Sequence, residues 1–436
     1  LLDSLGTTEE LAAIFSDASV LGALLGFESA LARAQARLGI VPQSAADAIG
    51  RAAVAEGFDA IAIAREARQS ASLAIPLVNA LTMRVRAIDE AASRFVHWGA
   101  TSQDVIDSAM SVLLRRAQTI LARDHARLER ALRTMSDDHA DTLMLARTVL
   151  QPAPPITFGY KVAAWYGGVQ RSWRRLRGTC GEALVLQFGG AAGTLASYGS
   201  LGPALARELS RELDLPESDA PWHAQRDRLA AFAAHCGLYV GTLGKIAHDV
   251  ALLMQFEVGE VAERGGGSSA MPNKRNPSGC AIALAAATRM PGLVSAFLAG
   301  MVQEHERAAG GWQAEWETLA AAVETTGSAL GAVAGVMEGL TVFPDRMRAN
   351  LDATHGVVFA EQVSMLIVAR IGRAAAHALL AEAARAAVES GQSWREILRG
   401  KREIAALLTP EQMESIGRAE DYLGSTEIFR KKLLEE

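Results

Sequence analysis

Apolar residues recur along most of the chain at steps of three and four. The clearest run is Leu229, Phe232, Cys236, Tyr239, Leu243, Ile246, Val250 and Leu253. That spacing puts all of them on one face of a helix. No proline and no glycine triplet interrupts the pattern before Gly265. It therefore predicts a helix over about 225–262, on the order of 55 Å long. Such a rod suits a bundle, with a neighbouring helix packed along the seam. A second long helix is expected over about 108–134, with Leu114, Leu121, Leu128, Leu132 and Met135 marking its apolar side. A third is expected to begin near Ser278, bend at Pro291 and be disturbed at Gly310 and Gly311. The run Gln151-Pro152-Ala153-Pro154-Pro155 excludes regular helix and separates two helical stretches. Short helices resume after Phe343, and Pro344 marks a boundary. Strand patterns are weak throughout, so the fold class read from the pattern is all-α.

Composition supports this. Half of the 436 residues are apolar, and alanine, leucine, arginine and glutamate favour helix. The length exceeds what one hydrophobic core usually serves, which points to two or three domains. A net charge of −6 excludes a broadly basic nucleic-acid surface, but leaves room for a few local cations around an anionic substrate. Cys180, Cys236 and Cys280 lack any metal-ligand or disulfide spacing and read as reduced core residues of a cytoplasmic protein. The stretch Leu1 to Glu10 has no basic-then-apolar signal pattern. The best membrane candidate, 281–301, contains Arg289 and Pro291 and reads as a buried core helix.

Four segments depart from helical patterning. In His97-Trp98-Gly99-Ala100-Thr101-Ser102-Gln103-Asp104, Thr101 and Asp104 have capping-box spacing, with Asp in place of Glu or Gln. A helix start of this kind serves as a cap. Its free N–H groups, its dipole and the two hydroxyls also suit a carboxylate. Arg147 to Gly159 reads by itself as a proline-rich connection. In Trp222-His223-Ala224-Gln225-Arg226-Asp227, His223 either caps the long helix or faces a ligand. The fourth segment, Gly265 to Pro277, begins with three glycines and then concentrates Ser268, Ser269, Asn273, Lys274, Arg275 and Asn276 within a few residues. A generic linker has no need of that density, and the order does not match a Walker phosphate loop.

The run Gly267-Ser268-Ser269-Ala270-Met271-Pro272-Asn273-Lys274-Arg275-Asn276-Pro277 resembles the GSSxMPxKxNP signature of the fumarase/aspartase superfamily. His97 to Asp107 and Arg147 to Gly159 resemble its two earlier motif regions. Within the superfamily, HWGATSQDVID, LQPAPPITFG and PWHAQRDRLAAF look most like bacterial 3-carboxy-cis,cis-muconate cycloisomerases. The resemblance implies a three-domain helical subunit: residues 1–100 N-terminal, 101–343 a central long-helix bundle, and 344–436 C-terminal. It also implies a homotetramer with active sites shared between subunits. It further implies lactone closure of a small tricarboxylate diene with no cofactor and no metal. Nucleic-acid and membrane partners are not expected.

By the same resemblance, Ser268 matches the catalytic serine, acting here as a general acid, and Lys274 steadies the aci-carboxylate intermediate. The implied substrate-binding residues are His97, Thr101, Ser102, Gln151, His223, Ser269, Met271 and Asn276. Lys274 with some of Arg147, Lys161, Arg226, Arg275 and Arg307 is expected to offset the three carboxylates, with no ranking among the arginines.

One departure is informative. Many superfamily lyases carry His in the second motif, where this chain has Val149 in Arg147-Thr148-Val149-Leu150-Gln151. Valine transfers no proton. A carboxylate leaving group, with a conjugate-acid pKa of about 4, needs none. The change fits lactone chemistry. The alternatives are a fumarate-releasing lyase of the adenylosuccinate or argininosuccinate type, which Val149 disfavours, and an inactive structural homologue, which the intact serine loop disfavours.

Overall fold

The computed structural model describes residues 4–267, 271 and 274–435. Long helices dominate: α1 (Asp17–Arg37), α2 (Ser102–Asp138), α3 (Phe158–Ala183), α4 (Asp227–Leu253), α5 (Ser278–Ala299) and α6 (Gly311–Gly339). The chain divides into two compact units. The first comprises Leu1–Ala126, Ser172–Lys245 and Ala281–Val333, and the second Arg127–Arg171, Ile246–Cys280 and Ala334–Glu436.

The eight residues of the apolar stripe on α4 are all buried, none more than 5 % exposed. The helix is shorter than its pattern suggests. It stops at Leu253, and Gly259, at φ 62°, reverses the chain. The Glu260 N–H returns to the Leu253 carbonyl at 2.9 Å. Val261–Ala262 then leaves as a short strand, β3, paired antiparallel with β4 (Thr341–Val342). The second helix, α2, extends beyond the expected span at both ends. The expected third helix is two, α5 and α6, separated by a loop that ends at Gly310 (φ 101°).

The proline-rich segment is a strand. β1 (Leu143–Thr148) and β2 (Gln151–Thr157) form an antiparallel hairpin joined by only Val149 and Leu150. Both loop residues have positive φ, 50° and 64°, as a type I′ hairpin turn requires. Asn and Gly normally fill these places, and a β-branched residue there is a backbone outlier. Val149 and Leu150 are also 94 % and 75 % exposed.

The core of the first unit gathers Leu24, Phe27 and Leu31 of α1 with Leu77, Val105, Leu113, Phe188 and Trp312. In the second unit, α7 (Pro344–Asp352) packs on the hairpin through Leu351 and Leu145. Helices α8 (Ala360–Ile371) and α9 (Arg373–Ser390) close a separate core around Ile367, Leu380 and Trp394.

The three cysteines are buried free thiols, as expected. Helices α4, α5 and α6 are each long and apolar enough to cross a membrane by length and composition. α5 corrects the expectation of a buried core helix, because only 22 % of its most apolar stretch is buried within this chain. Ala283, Ala286, Met290 and Phe297 face the chain's own interior, whereas Ile282, Leu284, Leu293, Val294 and Leu298 are only partly covered by it.

Candidate active site

The first motif forms a tight corner before α2. His97 and Gly99 take positive φ, 56° and 73°. The carbonyl between them, on Trp98, accepts from Gln35 Nε2 at 2.8 Å and from the Tyr198 hydroxyl. His97 Nδ1 lies 2.6 Å from Glu28 Oε1 on α1. Burial pulls the His97 pKa down, but the Glu28 carboxylate, with Asp104, holds the imidazole above its ordinary value.

The corner delivers the chain into the N-terminus of α2, where half of the expected capping box forms. Asp104 Oδ2 accepts from the Thr101 N–H at 3.1 Å. The Thr101 hydroxyl does not complete the box. It accepts instead from Arg307 Nη1 at 2.6 Å. Asp104 is fully buried, and its two oxygens also accept from the Gly189 and Gly190 N–H groups, each at 2.9 Å, and from His223 Nε2 at 2.8 Å. Four donors satisfy this carboxylate, and the His223 proton is held on Nε2. His223 is only 4 % exposed and lies behind the corner, turned toward Asp104.

One helical turn on, Asp107 faces Arg226. The guanidinium lies between Asp107 Oδ2, at 2.7 Å, and Glu315 Oε2, at 2.5 Å, and is itself 2 % exposed. Trp312 Nε1 and Gln103 Nε2 also donate to Asp107, and Gln303 donates to Glu315. Burial alone would lower the Arg226 pKa, and the two carboxylates reverse the shift. Burial pushes Glu315 above the usual carboxylate value, with Arg226 opposing.

These contacts rank the candidate cations. Arg226 is consumed by Asp107 and Glu315. Arg147 is bound by Glu260 at 2.7 and 3.0 Å, and Asn350 Nδ2 donates to the same carboxylate at 2.7 Å. Lys161 lies 3.9 Å from Asp249. Arg307 instead points to a motif hydroxyl.

The other two predicted motif segments belong to the second unit. Gln151 opens β2 opposite Thr148, exposed beside the hairpin tip. The signature loop is pinched at its neck, where the Asn276 N–H donates to the Gly266 carbonyl at 2.6 Å. A Cβ on Gly266 would sit 2.0 Å from the Asn276 carbonyl oxygen, so only glycine fits. Asn276 Nδ2 is 3.4 Å from the Gly267 carbonyl. The Glu263 carboxylate caps α5 through the Gly279 and Cys280 N–H groups at 2.9 and 3.0 Å. Lys274 and Met271 are exposed on the loop, and Ser268 and Ser269 lie outside the described residues.

The structure thus brings together His97, Thr101, Ser102 and His223 in the first unit. It adds two residues that the sequence reading did not assign to the site, Glu28 and Asp104, and it sets Arg307, one of the unranked arginines, at the Thr101 hydroxyl. A lone acid inside the apolar run Leu24 to Ala32 was the available signal for Glu28.

Residues 4–292 match the family model described as "Lyase", and residues 356–432 match "Adenylosuccinate lyase C-terminus". The chain is 46 % identical to a 3-carboxy-cis,cis-muconate cycloisomerase of Pseudomonas aeruginosa, over 100 % of this chain and 96 % of that one. It is 40 % identical to a nitrosuccinate lyase of Streptomyces davaonensis, over 95 % of this chain and 90 % of that one. The crystal structure of 3-carboxy-cis,cis-muconate lactonizing enzyme from Pseudomonas putida superposes with a TM-score of 0.93 at 42 % identity, covering 100 % of this chain and 98 % of that chain. Full-length identity, the matched fold and the motif corner together establish that this chain belongs to the fumarase/aspartase superfamily.

Proposed function

We propose that the protein closes 3-carboxy-cis,cis-muconate to 4-carboxymuconolactone. One substrate carboxylate adds to a C=C bond, and a proton is delivered to the neighbouring carbon. The observation that carries this reading is Val149. At the hairpin tip, where many relatives carry a proton-transferring histidine, this chain presents an exposed valine. Carboxylate addition needs no proton on the nucleophile, whereas elimination of a poor leaving group does.

The roles are those that the resemblance of the motifs to the superfamily implies. Ser268 delivers the proton as a general acid. Lys274 and Asn276 steady the aci-carboxylate that forms at the protonated carbon's neighbour. Thr101 and Ser102, at the start of α2, hold a second carboxylate with N–H groups, hydroxyls and the Arg307 charge. Ser269, Met271 and Gln151 line the substrate, and His223 acts through Asp104. No cofactor is used.

The protein works as a cytoplasmic homotetramer whose active sites draw segments from different subunits. The partly uncovered apolar surface of α5 supports this, since an incompletely covered apolar helix face suits a partner surface. Co-refolding Ser268→Ala with a Thr101→Ala/Ser102→Ala variant tests the sharing, because some mixed tetramers then contain an intact site. Heterotetramers as inactive as either parent would refute it.

A second reading, a lyase acting on a substituted succinate, is favoured by the 40 % identity to nitrosuccinate lyase. One assay separates the two. Loss of the conjugated-diene absorbance of 3-carboxy-cis,cis-muconate, with lactone signals in the NMR spectrum, supports the cycloisomerase. Turnover of nitrosuccinate alone supports the lyase.

A further inference from the structure

Glu28 lies on α1 within an apolar stretch and is 1 % exposed. Its Oε1 meets His97 Nδ1 at 2.6 Å, and its Oε2 is buried with no hydrogen-bond partner among the described residues. An ionised carboxylate in such surroundings is strongly disfavoured unless a cation faces it. The short separation is that of a charge-assisted hydrogen bond from an imidazolium.

The same helix fixes the backbone beside the imidazole. Gln35, seven residues after Glu28 and so on the same face of α1, donates to the Trp98 carbonyl at 2.8 Å. His97 itself has φ 56°, a conformation that persists only where the surroundings over-determine it. With Nδ1 turned inward to Glu28, the Nε2 edge is left, and the side chain is 18 % exposed. Four residues on lie Thr101 and the N-terminus of α2.

We propose that Glu28 is a positioning residue for the cycloisomerisation: it holds His97 as an imidazolium whose Nε2–H binds a substrate carboxylate beside the start of α2. The proposal rests on the function given above, through the carboxylate site at Thr101 and Ser102. The charged and titratable groups around His97 are Glu28 from α1, Asp104 from α2 with its partner His223, Tyr198, and Arg307, which reaches Thr101. Asp104 is already satisfied by four donors, whereas Glu28 has His97 alone among the described residues. Glu28 is therefore the main carboxylate favouring the charged form of His97, with Asp104 adding to it.

Because the folded-state pKa of His97 is raised, its charge is complete below the ordinary histidine value and is lost only as pH rises through the folded value. Without the Glu28 charge, burial, the largest influence, lowers the His97 pKa with only Asp104 opposing it.

Glu28→Gln keeps the shape and removes the charge. Its test combines a histidine Cε1–H NMR titration, with His97→Asn for assignment, and KM and kcat for 3-carboxy-cis,cis-muconate between about pH 6 and 8.5. In the wild type, the His97 midpoint should lie above the ordinary value of about 6.5, and in Glu28→Gln below it. Between the two midpoints the variant's KM should rise about tenfold or more, with the gap narrowing toward either end of the pH range, kcat nearly unchanged and Glu28→Asp restoring part of the loss. A wild-type His97 that titrates at or below the ordinary value overturns the proposal. So does a Glu28→Gln enzyme whose KM tracks the wild type at every pH. Should Glu28→Gln fail to fold, the wild-type titration with and without substrate decides: substrate should raise the His97 midpoint, and an unmoved midpoint overturns the proposal. Absence of any lactone from the wild type would sink the function above instead, and the titration would still read the Glu28–His97 pairing.

Discussion

Arg307 and Thr101, 206 residues apart in sequence, meet at 2.6 Å, with the guanidinium donating to the hydroxyl that a helix cap would otherwise use. The contact sets Arg307 apart from Arg226 and Arg147, which are each spent on buried carboxylates. Arg307→Ala should therefore lower kcat/KM by about 10- to 100-fold, the equivalent of a charge-assisted hydrogen bond of about 1.5–3 kcal/mol. The loss should appear mainly in KM. Arg307→Lys should recover only part, because a lysine gives a point charge in place of a planar fork. Steady-state kinetics on both variants checks this, and an unchanged KM in Arg307→Ala would remove Arg307 from the site.

Arg226 is expected to matter for stability. Replacing it with alanine strands Asp107 and Glu315 as buried carboxylates, a loss of about 3–5 kcal/mol by precedent for broken buried pairs. The pH dependence has a definite sign. Burial raises the Glu315 pKa even with Arg226 present, and removing Arg226 raises it further. A carboxylate with a raised folded-state pKa stabilises the fold at low pH, and that stability is lost as pH rises through the window above the ordinary value of 4.5. Denaturant unfolding of Arg226→Ala should thus show a larger deficit at about pH 7.5 than at about pH 5. A deficit of the same size at both would mean that the stranded charges are not its cause.

The β1–β2 hairpin joins its strands through Val149 and Leu150, both at positive φ and both exposed. Strain of about 1–3 kcal/mol per residue is usual for such positions. The double substitution Val149→Asn/Leu150→Gly supplies the residues that a type I′ turn prefers. It should raise thermal stability and at the same time reduce turnover, because an apolar tip kept at that cost serves the substrate site. Thermal unfolding and the lactonisation assay read the two effects separately. A stabler variant with full activity would show that the tip is only a turn.

How much of this was legible in the sequence differs from element to element. The α4 stripe from Leu229 to Leu253 was readable because alternating steps of three and four have one helical solution, and all eight residues are buried. The β1–β2 hairpin was not, because Pro152, Pro154 and Pro155 mask a strand whose edge tolerates them. The burial of α5 was misread because apolar composition does not say whether the covering surface comes from the same chain. The signature loop announced itself by its density of polar residues. Glu28 did not, and Arg307 stood unranked among other arginines, since what matters about each is a partner 69 or 206 residues away.

The most direct test of the proposed chemistry is the turnover of 3-carboxy-cis,cis-muconate by Ser268→Ala beside the wild type. Lactone formation by the wild type and a fall of about 10²- to 10⁴-fold in kcat for the variant, with fold and assembly intact, are expected from loss of a general acid. Comparable turnover by Ser268→Ala would contradict the assignment of Ser268 as the proton carrier.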